Sequence, residues 1–358
     1  MVPHHGGTLR RRTASALVYT SLAVLLSGCF SAADTALAPD ATRDPSSDAP
    51  GDPSPDAAED PSRLWVNPDT PAARQVRAWR RAGRGADAAS LERIAAQPMA
   101  EWISDSPRER AEGITWTAAD AGRTPVLVAY HIPHRDCGNH SAGGAEGGAE
   151  YRTWVRELAA GIGDRRAIVI VEPDAVAQIA DGCIPEELRA ERTELLEDAV
   201  SVLSDLPAAK VYLDAGHSGW IDDVGRLAAV LRSSGVEQAD GFALNVSNFQ
   251  PTPAVEEYGL RLSRELGGAH FVIDTSRNGN GPLAETGGES WCNPPGRGLG
   301  TPPTTRTGKA KLDAYLWVKR PGESDGRCNG GPAAGQWWPQ YALGLAREAP
   351  AAPRTGLG

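Results

Sequence analysis

Six short apolar runs constrain this chain more than any other feature. Residues 126–130, 167–171, 211–213, 241–244, 271–273 and 315–318 are continuously apolar rather than alternating. A strand buried on both faces needs that pattern, and burial on both faces is the condition of a parallel sheet covered by helices. The segments between them, 151–161, 186–206 and 225–233 among others, place apolar residues at helical spacing. Repeated strand and helix units therefore predict an α/β fold, a closed β/α barrel, with a doubly wound open sheet as the alternative.

Each run leads directly into polar residues. The sequence continues as Arg135-Asp136-Cys137, Glu172-Pro173-Asp174, Asp214-Ala215-Gly216-His217, Asn245 to Asn248, Asp274-Thr275-Ser276-Arg277 and residues 319–325. In a β/α barrel these positions converge on the C-terminal rim, where active sites form, so several carboxylates face one cleft. An aspartate after a strand is often the cap of the next helix, and Asp274 best fits that bland role. Capping does not account for the whole set.

The chain has 358 residues and a formal net charge of -10. Nucleic acid is an unsuitable partner, because phosphate neutralisation needs a basic surface. The charge is unevenly placed. Residues 1–29 read as a secretory signal, with Arg10, Arg11 and Arg12 before an apolar stretch from 16 to 26 and Leu26-Ser27-Gly28-Cys29 at its end. Eleven apolar residues do not span a bilayer of about 30 Å. The last four resemble a lipoprotein lipobox, so the expectation is lipidation at Cys29, an extracellular location, and membrane contact only through that anchor. Residues 30–62 form an Asp/Pro/Ser/Ala spacer with too little apolar surface to build a core. The globular domain is expected over 63–348, and 349–358 as a tail. Cys137, Cys183, Cys292 and Cys328 remain; in an exported chain four cysteines favour two disulfides, with three connectivities open.

No G-x-S-x-G elbow, H-E-x-x-H, P-loop or strand-end G-x-G-x-x-G occurs. Paired carboxylates beside aromatic faces are what glycoside hydrolysis requires: one acid protonates the leaving oxygen, and others activate water or stabilise an oxocarbenium-like state. Of the ten tryptophans, Trp79, Trp116 and Trp154 read as core. Trp102, Trp220, Trp291 and Trp317 lie by the rim motifs, placed for stacking on sugar.

The residues 130–144, containing Tyr130, Arg135-Asp136-Cys137 and Ser141, are similar to the first signature of glycoside hydrolase family 6. Val169-Ile170-Val171-Glu172-Pro173-Asp174 resembles the second, and further matches continue through 212–220, 245–248, 274–282, 291–294 and 317–326. The resemblance implies a distorted, seven-stranded, TIM-like β/α barrel acting as a monomeric, inverting endo-β-1,4-glucanase on β-1,4-glucan, without cofactor or metal. It implies Asp174 as the general acid, kept protonated by Asp136, which also receives a proton relayed through water. Asp325 matches the carboxylate long proposed as base, Asp214 one that supports binding and developing charge, and Tyr130 the tyrosine that crowds the sugar ring. Ser141, on a loop expected to close over the site, helps hold the attacking water. Lys319 and Glu323 match substrate-binding positions, with Trp102, His217, Trp220, Asn248, Trp291 and Arg297 as further sugar contacts. The cysteines pair in order, Cys137 with Cys183 and Cys292 with Cys328. Arg320 stands where relatives often have proline, and is expected near Asp325, depressing its pKa. Gly219 stands where alanine is common. The short segment 277–311 favours an open endoglucanase cleft over a cellobiohydrolase tunnel. A non-catalytic sugar-binding lipoprotein is the remaining alternative; the several acids argue against it.

Overall fold

The computed structural model describes residues 63–284 and 290–349. The signal, Cys29, the 30–62 spacer and all but the first residue of the tail lie outside the described residues. In chain order the elements are α1 (Pro71–Arg81), α2 (Gly85–Ala95), β1 (Glu101–Ile103), α3 (Pro107–Asp120), β2 (Val126–Ala129), α4 (Gly148–Ile162), β3 (Ala167–Val171), α5 (Ala175–Asp181), α6 (Glu186–Ser204), β4 (Ala209–Asp214), α7 (Val224–Ser233), β5 (Gly241–Leu244), α8 (Thr252–Glu265), β6 (His270–Asp274), β7 (Leu312–Leu316) and α9 (Pro339–Glu348). Helix starts follow local chemistry. Thr70 caps α1 by accepting from Ala73 N at 3.1 Å ahead of Pro71, and Asp223 caps α7 by accepting from Arg226 N at 2.9 Å.

The seven strands form one parallel sheet in the order β1-β2-β3-β4-β5-β6-β7. Strand order never reverses, so every crossover steps the same way and the sheet curls into a half-barrel. A doubly wound sheet would reverse at a switch point. The register carries Val128 opposite Ile170 and Ile170 opposite Tyr212, which stacks alternate residues into an interior layer. Val126, Val128, Tyr130, Ile168, Ile170, Tyr212, Ala243, Val272, Ala314, Leu316 and Val318 fill the barrel. Leu127, Val169, Val171, Leu213, Phe242 and Ile273 face the helical layer. Both faces are covered, which is why the runs are unbroken.

Three expectations need correction. The last strand is Leu312–Leu316, not 315–318, and β1 was not legible at all, having three residues of which one is Glu101. Trp317 is buried at 2% exposure, packs with Val76, Trp79, Leu91 and Leu343 of α1, α2 and α9, and donates its indole N–H to Thr301 O at 2.9 Å. Leu316 and Val318 take the inward positions, so period-2 alternation turns Trp317 away from the rim. Trp116, read as core, is 63% exposed on α3. Trp79 and Trp154 are buried.

Candidate active site

The β3 end carries the sharpest local conformation. Glu172 (φ 45°) and Asp174 (φ 73°) flank Pro173, both in the left-handed region that costs non-glycine residues energy and persists where surroundings enforce it. Part of that enforcement is Glu172, fully buried, whose carboxylate accepts from His131 N at 2.9 and 3.1 Å and from Ile132 N at 3.1 Å. Burial nevertheless pushes its pKa up to about 7. It ties the β3 end to the chain leaving β2. Asp174 occupies the N-cap position of α5, yet its side chain makes no capping bond. The residue as a whole is half-buried on the rim. Burial, then the charge of Asp214, then that of Asp136, hold its pKa well above the usual carboxylate range. Asp136 was expected to be the main cause; Asp214 acts ahead of it.

After β2 the chain builds a second cluster. Asp136 Oδ2 accepts from Ser141 N and Ser141 Oγ, both at 2.8 Å, and Ser141 Oγ lies 3.0 Å from the Tyr130 hydroxyl. Tyr130, Ser141 and Asp136 thus form one hydrogen-bonded line. Arg135 braces it, donating to Tyr130 O at 2.6 Å and Ser141 O at 2.9 Å with its guanidinium 4.3 Å from the centre of the Tyr130 ring. Burial raises the Tyr130 pKa, so the phenol stays protonated. The loop from 138 to 148 is held close to the barrel. A Cβ on Gly144 (φ 95°) would fall 1.9 Å from Ile132 O, so only glycine permits that approach.

Asp214 is fully buried, and its Oδ1 accepts from Gly216 N at 2.9 Å and Asp174 N at 3.2 Å. Its Oδ2 is buried with no partner among the described residues. Burial pushes this acid up to about 7. Asp274 caps no helix. Its Oδ1 accepts from Ser276 N (2.9 Å) and Val318 N (3.3 Å), and its Oδ2 from Ser247 N (3.0 Å) and Lys319 N (2.9 Å), joining the loops after β5, β6 and β7. Asp325 is the opposite case to Asp174. Burial alone would raise its pKa, but Arg277 at 2.8 Å and Lys319 at 3.1 Å outweigh it and hold the carboxylate at about 2, with Asn293 N donating at 2.9 Å. Arg320 is not its cation. That guanidinium pairs with Glu101 at 2.7 Å and Glu323 at 2.9 Å.

Asp174, Asp136, Asp214, Tyr130 and Ser141 are therefore joined by direct bonds or act on one another's charge, and Lys319, which also acts on Asp174, is bonded to Asp325. Trp102 meets Tyr130 edge-on at 5.0 Å and donates to Val318 O at 2.8 Å. Trp220 is half-buried beside His217 at 5.8 Å and donates to Asp181 at 2.8 Å, while burial lowers the His217 pKa to about 4 and keeps the ring neutral. Trp291 is 42% exposed, 5.8 Å from His140. Asn248 Oδ1 accepts from Phe249 N at 2.8 Å, and Arg297 donates to Gly281 O at 2.5 Å. Cys137 is bonded to Cys183 and Cys292 to Cys328, pinning the Asp136 and Asp325 loops. His140 approaches Cys292 and Cys328, but both sulfurs are spent on that bridge and are not thiolate ligands. Sequence reasoning missed Arg277, Glu172 as an anchor and Asn293. All three stood inside quoted motifs, and only their burial distinguishes them.

A parallel half-barrel whose rim gathers acids in contrasting protonation environments beside aromatic faces defines a class of carboxylate-driven barrel hydrolases. Residues 60–349 match the model for glycosyl hydrolases family 6, and the chain belongs to that family. It is 48% identical over 296 residues to endoglucanase A of Cellulomonas fimi, covering 80% of this chain and 62% of that protein. It spans under two thirds of that relative's length. A more distant relative, 1,4-beta-D-glucan cellobiohydrolase C of Emericella nidulans, is 30% identical over 305 residues, covering 70% of this chain and 66% of that protein. Among solved structures, the endoglucanase Cel6 from Mycobacterium tuberculosis in complex with methyl-cellobiosyl-4-deoxy-4-thio-β-D-cellobioside matches with TM-score 0.74 and 45% identity, over 81% of this chain and 98% of that one.

Proposed function

We propose that the protein is an inverting endo-β-1,4-glucanase acting on cellulose or a related β-glucan, with Asp174 as general acid. The observation that carries this reading is the state of Asp174: an aspartate at a helix start that does not cap, held protonated by burial and by Asp214 and Asp136. A protonated carboxyl on the rim is what a leaving glycosidic oxygen needs. Water attacks the opposite face of the sugar, and its proton travels toward Asp136, whose Oδ2 already bonds Ser141 Oγ at 2.8 Å. Asp325, clamped by two cations at a pKa of about 2, is a weak proton acceptor; it supplies negative charge toward the developing oxocarbenium and orients Lys319. Tyr130 crowds the ring from the barrel floor, and Trp102, Trp220 and Trp291 offer stacking faces, with Lys319, Glu323, His217, Asn248 and Arg297 as polar contacts.

Endo action is supported by the greater likeness to endoglucanases than to the cellobiohydrolase. The expected Cys29 lipidation would hold the enzyme outside the cell on a charged tether; metabolic labelling with a clickable fatty acid, lost in Cys29→Ser, tests it. Hydrolysis of a soluble cellulose derivative tests the chemistry. Asp174→Asn is expected to lower kcat by about 1,000-fold or more, and viscosity to fall faster than reducing ends appear. Full activity in Asp174→Asn would sink the acid assignment, and cellobiose as the sole early product would sink endo action.

A further inference from the structure

The barrel is open between its first and last strands: among the described residues no ladder joins β7 to β1. What spans the gap is a small set of bonds centred on Arg320. Its Nε donates to Ala100 O at 2.8 Å, Nη1 to Glu323 at 2.9 Å and Nη2 to Glu101 at 2.7 Å. Around it, Ala100 N donates to Trp317 O at 3.0 Å and the Trp102 indole to Val318 O at 2.8 Å. The three side chains are nearly closed to solvent, at 15% for Arg320, 9% for Glu101 and 12% for Glu323. Burial would by itself lower the arginine's pKa, and the two carboxylates outweigh it.

A planar guanidinium with several donors in a fixed fork suits this place, because it meets two carboxylates and a carbonyl at once. The contact also reaches the rim. Arg320 O accepts from Glu323 N at 3.0 Å, so the turn carrying Glu323 hangs on this residue through backbone and side chain together. Lys319 precedes it and Asp325 follows two residues after Glu323.

We propose that Arg320 is a positioning residue that clasps the open seam and holds Glu323 and Trp102 in the geometry that binds one end of the glucan chain. The inference rests on the reading of Glu323 and Trp102 as substrate contacts. Without the guanidinium, Glu101 and Glu323 lose the cation they share, and Glu101 keeps the amide of Asn67 at 2.7 Å.

The test measures KM, kcat and Tm on a soluble β-1,4-glucan at neutral pH for wild type, Arg320→Gln, Arg320→Lys and Glu323→Gln. Arg320→Gln is expected to raise KM about tenfold with kcat within about twofold. Arg320→Lys, which keeps the charge and loses the fork, is expected between the two, and decides by the same criterion if Arg320→Gln does not fold. A purely structural clasp would lower Tm and leave the KM of folded enzyme untouched; that result overturns the inference whatever Glu323→Gln does. An unchanged KM in Glu323→Gln instead overturns the reading of Glu323 as a sugar contact, and Arg320 is then judged by its own KM.

Discussion

Replacing Asp325 by asparagine isolates one charge in a site where charges are mutually dependent. The carboxylate is 6% exposed and faces Arg277, which is wholly buried, at 2.8 Å and Lys319 at 3.1 Å. Its folded pKa of about 2, against 3.8 for an ordinary aspartate, corresponds to about 2 kcal/mol of folding stability at neutral pH. Because the folded value lies below the unfolded one, this contribution is present in full above about pH 4 and drains away as the pH falls toward 2. Asparagine removes it, and because the same change leaves the Arg277 guanidinium buried without its counter-charge, the loss of this one pair can reach about 3 to 5 kcal/mol, the range typical of a broken buried pair. Urea unfolding followed by tryptophan fluorescence at pH 7 should therefore show Asp325→Asn weaker by about 2 to 5 kcal/mol. At pH 3 the titrating part of that gap should shrink to about half. A gap below about 1 kcal/mol, or one identical at both pH values, would refute the account of Asp325 as an electrostatic partner of Arg277.

Asp214→Asn removes the foremost like charge acting on Asp174, so the acid should deprotonate at lower pH and the basic limb of the kcat profile should move to lower pH; a stationary limb contradicts the coupling. The two tryptophans read alike from sequence should part company on mutation. Trp317→Ala, opening a cavity at a position of 2% exposure, should cost about 3 to 5 kcal/mol of stability with little change in the KM of folded enzyme. Trp291→Ala, at an exposed site, should leave stability within about 0.5 kcal/mol and raise KM for long glucans; the reverse pattern would overturn both placements.

The barrel and its acidic rim were legible because each rests on local information. Unbroken apolar runs report burial on both faces, and a residue's place after a strand assigns it to the rim whatever the rest of the chain does. Three-residue β1 left no such trace, because Glu101 interrupts it; the register with β2 makes it a strand. Asp274 looked like a cap because aspartate after a strand usually is one, and only the arrival of Ser247, Val318 and Lys319 from other loops makes it a rim anchor.

The sequence by itself therefore determined a parallel β/α barrel with Asp136, Asp174, Asp214 and Asp325 after its strand ends, because periodicity and strand-end position are properties of short segments. Tertiary structure alone decided which of these acids keeps its proton, which tryptophans reach solvent, and which cation serves which carboxylate. Those outcomes depend on desolvation and on charges brought close from far along the chain. Asp325 meets Arg277 across 48 residues, and Arg320 meets Glu101 across 219. Arg320 is held by Glu101 from the far edge of the sheet as well as by Glu323 three residues on, so the expected pairing of Arg320 with Asp325 gave way to the seam between β7 and β1.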